Sequence, residues 1–440
     1  MTHHVIVGAG PAGVIAAETL RKHAPSDRIT LIGDEPEAPY SRMAIPYLLM
    51  GNIQEEGTWL RKTATHWADR RIERQTARVT SVRPGAAGQP HTLVLDNGDT
   101  LQADRVLLAS GSRPVQPPIP GINAPNVHTC WTLADARAIM AKAQPGARVL
   151  QMGAGFIGCI IMEALAARGV QLSVVEMGDR MVPRMMGPVA GGMIRRWVEG
   201  KGIAVHTGAR VESIEPVAAV ADQPAFSRVR LSTGQVLEAD LIISATGVKP
   251  AMGFLEGSGV LCLQGVLTDE HLETSVPGIY AAGDCAEAFD KVSGKPIVSA
   301  IQPNAADQAY VAALNMVHRP GQPRAELKGV TQINVLDTLG LISASFGQWE
   351  GVPGGQSVER VDEANHRALT LQFDGDVMVG CNSVGWTQHV GVMRGLVEGR
   401  VRLGEWKDKL LADPTQLMHA YLASAQAQGA WSGAGDARRR

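Results

Sequence analysis

Cysteine is scarce. The 440 residues include five, Cys130, Cys159, Cys262, Cys285 and Cys381, far apart and without a Cys-x-x-Cys pair. That spacing argues against a dithiol redox motif and a zinc site, and the usage suits a reducing compartment, so a cytoplasmic setting is expected. The twelve histidines form no His-Glu-x-x-His or comparable ligand spacing, so no metal is expected. Charge of one sign is lacking too. Forty-one basic and 43 acidic side chains leave a formal net charge of −2, which gives no footprint for nucleic acid or an anionic membrane. No apolar run approaches the ~18 residues that span a bilayer, and the oiliest helix, around 157–167, is broken by Glu163. The chain opens on strand formers rather than on a basic region followed by an apolar segment, so no signal peptide is expected.

What remains is an ordinary globular composition, 45% hydrophobic and 19% charged. The length suggests about three domains of roughly 150 residues each. The organising stretch is Val5-Ile6-Val7-Gly8-Ala9-Gly10-Pro11-Ala12-Gly13. Three β-formers run into a glycine turn that opens a helix over 14–22. The first glycine allows the tight turn, the second lets backbone approach a pyrophosphate, and the third lets the helix pack close to the strand. The helix N-terminus then offers N–H groups and the positive dipole end to phosphates. A strand over 28–32 follows and ends at Gly33-Asp34-Glu35. An acid there, some 20 residues past the third glycine, is placed to accept ribose hydroxyls.

The same pattern returns one domain-length later. A strand over 148–152 leads into Gly153-Ala154-Gly155-Phe156-Ile157-Gly158, a helix through 168, and a strand over 172–175 that ends at Glu176. Two full fingerprints imply two bound dinucleotides. Glu176 suits a free 2′-hydroxyl and would repel a 2′-phosphate, so NAD is favoured over NADP, with Arg180 near enough to soften the preference. Between the repeats lie an irregular stretch at 36–60, a hairpin over 94–104 turning at Asn97-Gly98, an apolar strand ending in Ala109-Ser110-Gly111, and a proline-rich connector at 114–120. Leu241 to Gly247 echoes that apolar strand, as expected where the chain crosses between domains. Farther on, a strand ends in Gly283-Asp284, read as preceding a helix and placing one carboxylate at a sheet edge. Strand-like runs at 332–336 and 341–346 and a helical tail over 389–425 complete the chain, before a basic end expected to be solvated.

With both fingerprints, Ala245-Thr246-Gly247 and Gly283-Asp284 in place, the chain resembles the pyridine nucleotide–disulfide oxidoreductase superfamily. The likeness is to the branch of ferredoxin and rubredoxin reductases, NADH oxidases, coenzyme A disulfide reductases and the nitrite reductase flavin domain. The resemblance implies an α/β fold of two Rossmann-like dinucleotide-binding domains, for FAD and NAD, plus a C-terminal α+β interface domain. The implied boundaries are 1–122 with 251–322 for FAD, 123–250 for NAD, 323–426 for the interface domain and 427–440 for a flexible tail. FAD would contact Gly8, Gly10, Pro11, Ala12, Gly13, Asp34 or Glu35, Arg42, Ala109, Ser110, Gly111, Gly283, Asp284 and Asn304. NAD would contact Gly153, Gly155, Phe156, Ile157, Gly158, Glu176 and Gly247. A helix starting near Asn304 would aim its N-terminus at the flavin's pyrimidine end. The C-terminal domain would form a homodimer interface, with segments near Trp386 approaching the flavin.

Four ring-proximal positions depart from the family's patterns. Relatives that cycle a redox cysteine carry Cys-x-Leu-Pro-Tyr, where this chain has Met43-Ala44-Ile45-Pro46-Tyr47. A thioether cannot become a thiolate nucleophile, which leaves Cys159 or Cys285 as the only stand-ins, and both read as packed small hydrophobes. Tyr47 stands where ferredoxin reductases place a lysine, and Gln302 where they place a tryptophan. Ile160 stands where many relatives have a nicotinamide-steering glutamate, with Glu163 one turn farther on. The expected activity is therefore an FAD-dependent oxidoreductase passing electrons from NADH through flavin to an iron–sulfur protein or other acceptor, without a redox cysteine. The alternative is an FAD subunit of a multicomponent dehydrogenase or oxidase, whose flavin is reduced by an organic substrate or partner chain. A third reading is a redox-sensing interaction protein that binds both cofactors without turnover.

Overall fold

The computed structural model describes residues 1–219, 224–290, 292–330 and 332–427, so the expected tail beyond 427 lies outside the described residues. Contacts group the chain into two units, Met1–Pro114 with Val248–Thr331, and Val115–Gly247 with Gln332–Arg440.

The first unit is built on a five-stranded parallel sheet in the order Ile279–Ala281, Arg105–Leu108, His3–Val7, Arg28–Gly33, Glu73–Thr76. The four strands from Ile279–Ala281 to Arg28–Gly33 carry buried apolar runs because both faces are covered, whereas the edge strand Glu73–Thr76 is polar and largely exposed. Ile6, Leu31, Leu107 and Ala282 face the helices Pro11–His23 and Gln302–Met316, packing on Val14, Leu20, Ala309 and Ala312. Their neighbours Val5, Val7, Ile32, Val106 and Leu108 face the other way, onto Val79, Val82, Leu93 and Leu95. Those last four lie in a three-stranded antiparallel sheet, Val79–Arg83, His91–Leu95 and Thr100–Ala103, whose final hairpin turns at the expected Asn97-Gly98. The strand after Gly283-Asp284 corrects the sequence expectation. No helix follows directly; Ala286–Asp290 pairs instead with Lys295–Val298 and Val266–Leu267.

The second unit repeats the parallel plan, in the order Ala204–Thr207, Gln171–Glu176, Arg148–Met152, Leu241–Ser244, Val127–His128. One face packs through Leu150, Met152 and Ile242 onto Val211, Ile214, Val229 and Leu231 of a second small antiparallel sheet. Residues 332–427 add a five-stranded antiparallel sheet, ordered Ile333–Thr338, Leu341–Gly347, Val377–Val384, Arg367–Asp374, Gln356–Asp362. The helices Val390–Gly399, Trp406–Ala412 and Leu417–Ala427 follow it. Buried Asn382 ties this sheet to the nucleotide fold. Its Oδ1 accepts from the Gly187 N–H at 2.9 Å and its Nδ2 donates to the Met185 carbonyl at 2.8 Å, while Trp197 Nε1 donates to the Leu339 carbonyl at 3.1 Å. Among the described residues no helix is long and apolar enough to cross a membrane, and no cluster of three or more potential ligands could hold a metal.

Burial at the first strand has a consequence for stability. His4 is fully buried, with Nε2 3.2 Å from Asp27 Oδ2 and Nδ1 without a partner. Burial lowers its pKa, with Asp27 opposing, and burial shifts His3, His91, His128 and His206 the same way. A histidine near 6.5 when unfolded and lower when folded binds more protons in the unfolded chain. Its contribution is therefore present above about pH 6.5 and lost as pH falls through the folded value. The melting temperature is expected to drop between pH 7.5 and 5.5, and His4→Gln to make that drop shallower. A wild-type curve flat across this range would contradict the assignment.

Candidate functional site

In the first unit the glycine turn sits at the C-terminal end of the central strand, where the order of sheet connections reverses and open α/β sheets bind ligands. Gly8 has φ +117°, and a Cβ there would lie 2.0 Å from the Ala109 carbonyl oxygen. A Cβ on Gly13 would lie 1.9 Å from the Gly8 carbonyl oxygen. These two glycines are therefore required by packing. Gly10 is different: its Cβ would meet nothing within 4 Å. It is the N-cap of the helix Pro11–His23, which has Pro11 in its first turn and no side-chain cap. The turn thus leaves open space above Gly10, and the N–H groups that follow Pro11 receive no side-chain cap, the arrangement a pyrophosphate fits.

Several sequence-predicted residues converge on this turn. A Cβ on Gly283 would come 3.3 Å from Ala12 Cβ and 3.6 Å from Ala305 Cβ, and the Gly283 N–H is held by Gln308 Oε1 at 2.7 Å. Burial raises the Asp284 carboxyl above the usual carboxylate range, while a hydrogen bond from Ser112 Oγ at 3.0 Å and the charge of Arg42 pull it back. The helix Gln302–Met316 begins two residues earlier than expected, with Asn304 Nδ2 donating to Ser299 Oγ at 2.7 Å. Ser41 Oγ donates to Gln302 Oε1 at 2.8 Å, which brings the segment carrying Arg42 and Met43 beside that helix start. Ser110 Oγ donates to the Ala251 carbonyl at 2.8 Å and leaves Gly111 at φ +67°.

The two acids at the strand end have separate partners. Asp34 pairs with Arg113, and with Arg78 at 3.5 Å. Glu35 accepts from Tyr40 Oη and from Arg42 Nη2, each at 2.5 Å, and Arg42 Nη1 donates to Tyr40 Oη at 3.0 Å. Met43 and Tyr47 are both half-exposed. Neither stand-in cysteine is placed for thiolate chemistry. Cys159 and Cys285 are fully buried, and burial pushes the first up to about 12 and raises the second. All five cysteines are free thiols, and burial raises Cys130, Cys262 and Cys381 likewise.

The second unit holds the second turn in the same position. Gly153 has φ +100°, and its Cβ would lie 2.4 Å from the Ala245 carbonyl oxygen; a Cβ on Gly158 would lie 2.5 Å from that of Gly153. Gly155 is the uncapped N-cap of the helix Phe156–Ala166, and its Cβ would meet nothing within 4 Å. Phe156 and Ile157 are half-exposed in its first turn. Glu176 is held by backbone, with Oε2 accepting from Ala154 N–H at 2.7 Å and Oε1 from Gly178 N–H at 2.8 Å. Gly247, at φ +115°, follows Thr246, whose Oγ1 donates to the Val115 carbonyl at 3.0 Å. Arg180 is spent on the Met186 carbonyl at 2.8 Å and on Asp179. Ile160 is half-buried one turn before Glu163. Burial raises the Glu163 carboxyl and the charge of Asp337 raises it further, so the charge that acts on this side chain comes from the C-terminal sheet.

Sequence reasoning missed Ser112, Gln308 and the Tyr40 hydroxyl, all of which reach the first site from distant or irregular segments. Ser112 and Gln308 had no readable signal. Tyr40 had one, standing two residues before Arg42, which the family resemblance picked out.

A family model described as pyridine nucleotide-disulphide oxidoreductase matches residues 2–313. Subunit epsilon of the NADH-dependent phenylglyoxylate dehydrogenase of Aromatoleum evansii is 31% identical over 414 residues, covering 94% of this chain and 95% of that protein. The ferredoxin–NAD(+) reductase component of the biphenyl dioxygenase system of Paraburkholderia xenovorans is 30% identical, covering 72% of this chain and 74% of its own. Among solved structures, an NAD-dependent persulfide reductase from A. fulgidus matches with TM-score 0.80 and 26% identity, over 92% of this chain and 78% of that one.

Proposed function

The chain belongs to the pyridine nucleotide-disulphide oxidoreductase family, and from that premise we propose that it takes electrons from NADH through FAD to a protein acceptor, an iron–sulfur protein, without a redox cysteine. One observation carries the proposal. Two uncapped helix N-termini, each beside a glycine with open space above it, stand at the switch points of two parallel sheets in a chain whose five thiols are free and shifted by burial away from the thiolate form.

The first turn fits FAD. Gly10 leaves the cradle, the N–H groups from Ala12 onward supply the positive end, and Asp284 sits against Ala12 through Gly283. Asp34 or Glu35 would accept the adenosine ribose, and Arg42 would add a positive charge beside it. The helix Gln302–Met316, uncapped at Ile301, would present its N-terminus to the electron-rich end of the ring. When bound, FAD accepts a hydride and releases electrons one at a time. The second turn fits NAD(H) on the same grounds. Glu176 supports NADH over NADPH, because a carboxylate fixed at that strand end repels a 2′-phosphate and Arg180 is committed elsewhere. The C-terminal antiparallel sheet is assigned to a homodimer contact, and the five free thiols suit a cytoplasmic setting.

A second reading rests on the full-length likeness to a dehydrogenase subunit. There, the partner would be a permanent subunit, and a partner chain or an organic substrate would reduce the flavin. The likeness to a ferredoxin–NAD(+) reductase and the complete second fingerprint favour NADH as the reductant. Rapid mixing of the isolated, anaerobic holoprotein with NADH distinguishes the two. Bleaching of the flavin band within seconds is expected; a band that persists for minutes would overturn the first reading and leave the second.

A further inference from the structure

Beneath the second glycine turn lies a polar side chain that an apolar strand does not predict. Gln151, in the strand Arg148–Met152, is completely buried. Its neighbours Leu150 and Met152 face the small antiparallel sheet, so alternation turns Gln151 to the opposite face, under the helix Phe156–Ala166. There, Nε2 donates to the Gly153 carbonyl at 2.8 Å and to the Gly158 carbonyl at 2.9 Å. The amide orientation follows from its partners: the reverse placement would set Oε1 against two carbonyl oxygens. Oε1 itself is buried with no hydrogen-bond partner, a costly arrangement for a carbonyl.

The chain contains its own control. Ile6 stands two residues before Gly8 as Gln151 stands two before Gly153, and Ile6 is a plain core residue packed with Val14 and Leu20. The two turns differ where this residue sits. In the first, a Cβ on the third glycine would lie 1.9 Å from the first glycine's carbonyl oxygen; in the second the gap is 2.5 Å, with Gln151 Nε2 3.2 Å from the same point. The amide thus stitches the entry of the turn to the first turn of the helix and stands between them as a spacer.

We propose that Gln151 is the positioning residue of the NAD(H) site, holding the Gly153–Gly158 turn in the wider setting from which a pyrophosphate can enter and leave at every turnover. The tighter turn over Ile6 suits a nucleotide that stays bound. This rests on the assignment of NAD(H) to the second turn. Gln151 touches no reacting atom; it acts by fixing the aim of the N–H groups at Gly155, Phe156 and Ile157.

The test compares wild type with Gln151→Met, which keeps the length and loses both donors, and with Gln151→Glu, which keeps the shape. NAD+ binding is measured by calorimetry on the holoprotein, and NADH kinetics with ferricyanide as acceptor. The Kd for NAD+ and the KM for NADH are expected to rise about tenfold in each variant, an effect of the size of one to two lost hydrogen bonds. The kcat at saturating NADH should stay within about twofold, with flavin content and spectrum unchanged. If the Met protein does not fold, Gln151→Ile, the residue that stands at the matching place before the first turn, carries the same test. A folded variant with unchanged Kd and KM overturns the proposal, as does one that loses FAD and NAD+ affinity together, since that marks a general packing role. A wild type that binds FAD but no NAD+ overturns the functional assignment itself.

Discussion

A Gly13→Ala protein is expected to purify with little or no flavin, its FAD affinity lowered by about 100-fold or more. The added Cβ would lie 1.9 Å from the Gly8 carbonyl oxygen and 3.2 Å from Leu31 Cδ1. Gly8 cannot step aside, because a positive φ and the Ala109 carbonyl already fix it. The helix Pro11–His23 must therefore withdraw from the turn, loosening Val14, Ala16, Ala17 and Leu20, which form its buried face. Overpacking of this kind costs about 1–3 kcal/mol, and each ~1.4 kcal/mol not recovered on binding is a tenfold loss of affinity. Gly10→Ala separates the two effects. Its Cβ meets no protein atom, so the apoprotein should melt as wild type does, yet the methyl group occupies the space assigned to the pyrophosphate. Flavin absorbance per chain and apoprotein melting temperature, measured for both variants, make the check. A Gly10→Ala protein with full flavin content would mean that the pyrophosphate does not sit on this turn.

Glu176→Ala is expected to raise the KM for NADH by about 10- to 100-fold, the worth of a hydrogen bond to a charged group. The ratio of kcat/KM for NADH over NADPH should fall with it. The carboxylate is pinned by the Ala154 and Gly178 N–H groups. Each carboxylate oxygen has a lone pair left for a ribose hydroxyl, and the negative charge stays where a 2′-phosphate would arrive. Part of the loss will be shared by both nucleotides, because the Ala154 N–H inside the glycine turn loses its partner. Glu176→Gln divides these contributions, since it removes the charge and keeps an acceptor. It should improve NADPH use more than it harms NADH. A selectivity ratio unmoved in both variants would place the adenosine ribose away from Glu176.

The parallel sheets were legible because strand, glycine turn, helix and acid recur with fixed spacing, and each step has a local cause. The supports of the site were legible only where they were local. Arg42 could be picked out from the family resemblance, but its tie to Glu35 depends on how an irregular stretch folds back. Ser112 reaches Asp284 across 172 positions of sequence, and no periodicity encodes such a contact. The segment after Gly283-Asp284 misled for a physical reason. Ala286, Glu287 and Ala288 favour a helix in isolation, yet Glu287 is buried and accepts the Gln264 and Gly265 N–H groups at 2.8 and 2.9 Å, which holds the segment in a sheet. The start of the helix at Gln302 was displaced by two residues, within the ordinary blur of helix ends. Gln151 stood in plain view as one polar residue in an apolar run, but its meaning required the two carbonyls above it.

The interleaved order of the first unit also has a consequence for how the protein is made. Its central strands His3–Val7 and Arg28–Gly33 are synthesised early, but the edge strand Ile279–Ala281 pairs with Arg105–Leu108 only after the whole parallel sheet of the second unit has left the ribosome. Asp284 and the helix Gln302–Met316 come later still. The nascent first unit therefore carries an open edge at Arg105–Leu108 while an entire nucleotide fold is translated, an interval in which unpaired strands are prone to misassembly. Because the carboxylate and the second helix of the first site arrive last, FAD capture follows synthesis of nearly three-quarters of the chain, and flavin supply during expression should govern the yield of soluble protein more than supply of nicotinamide does.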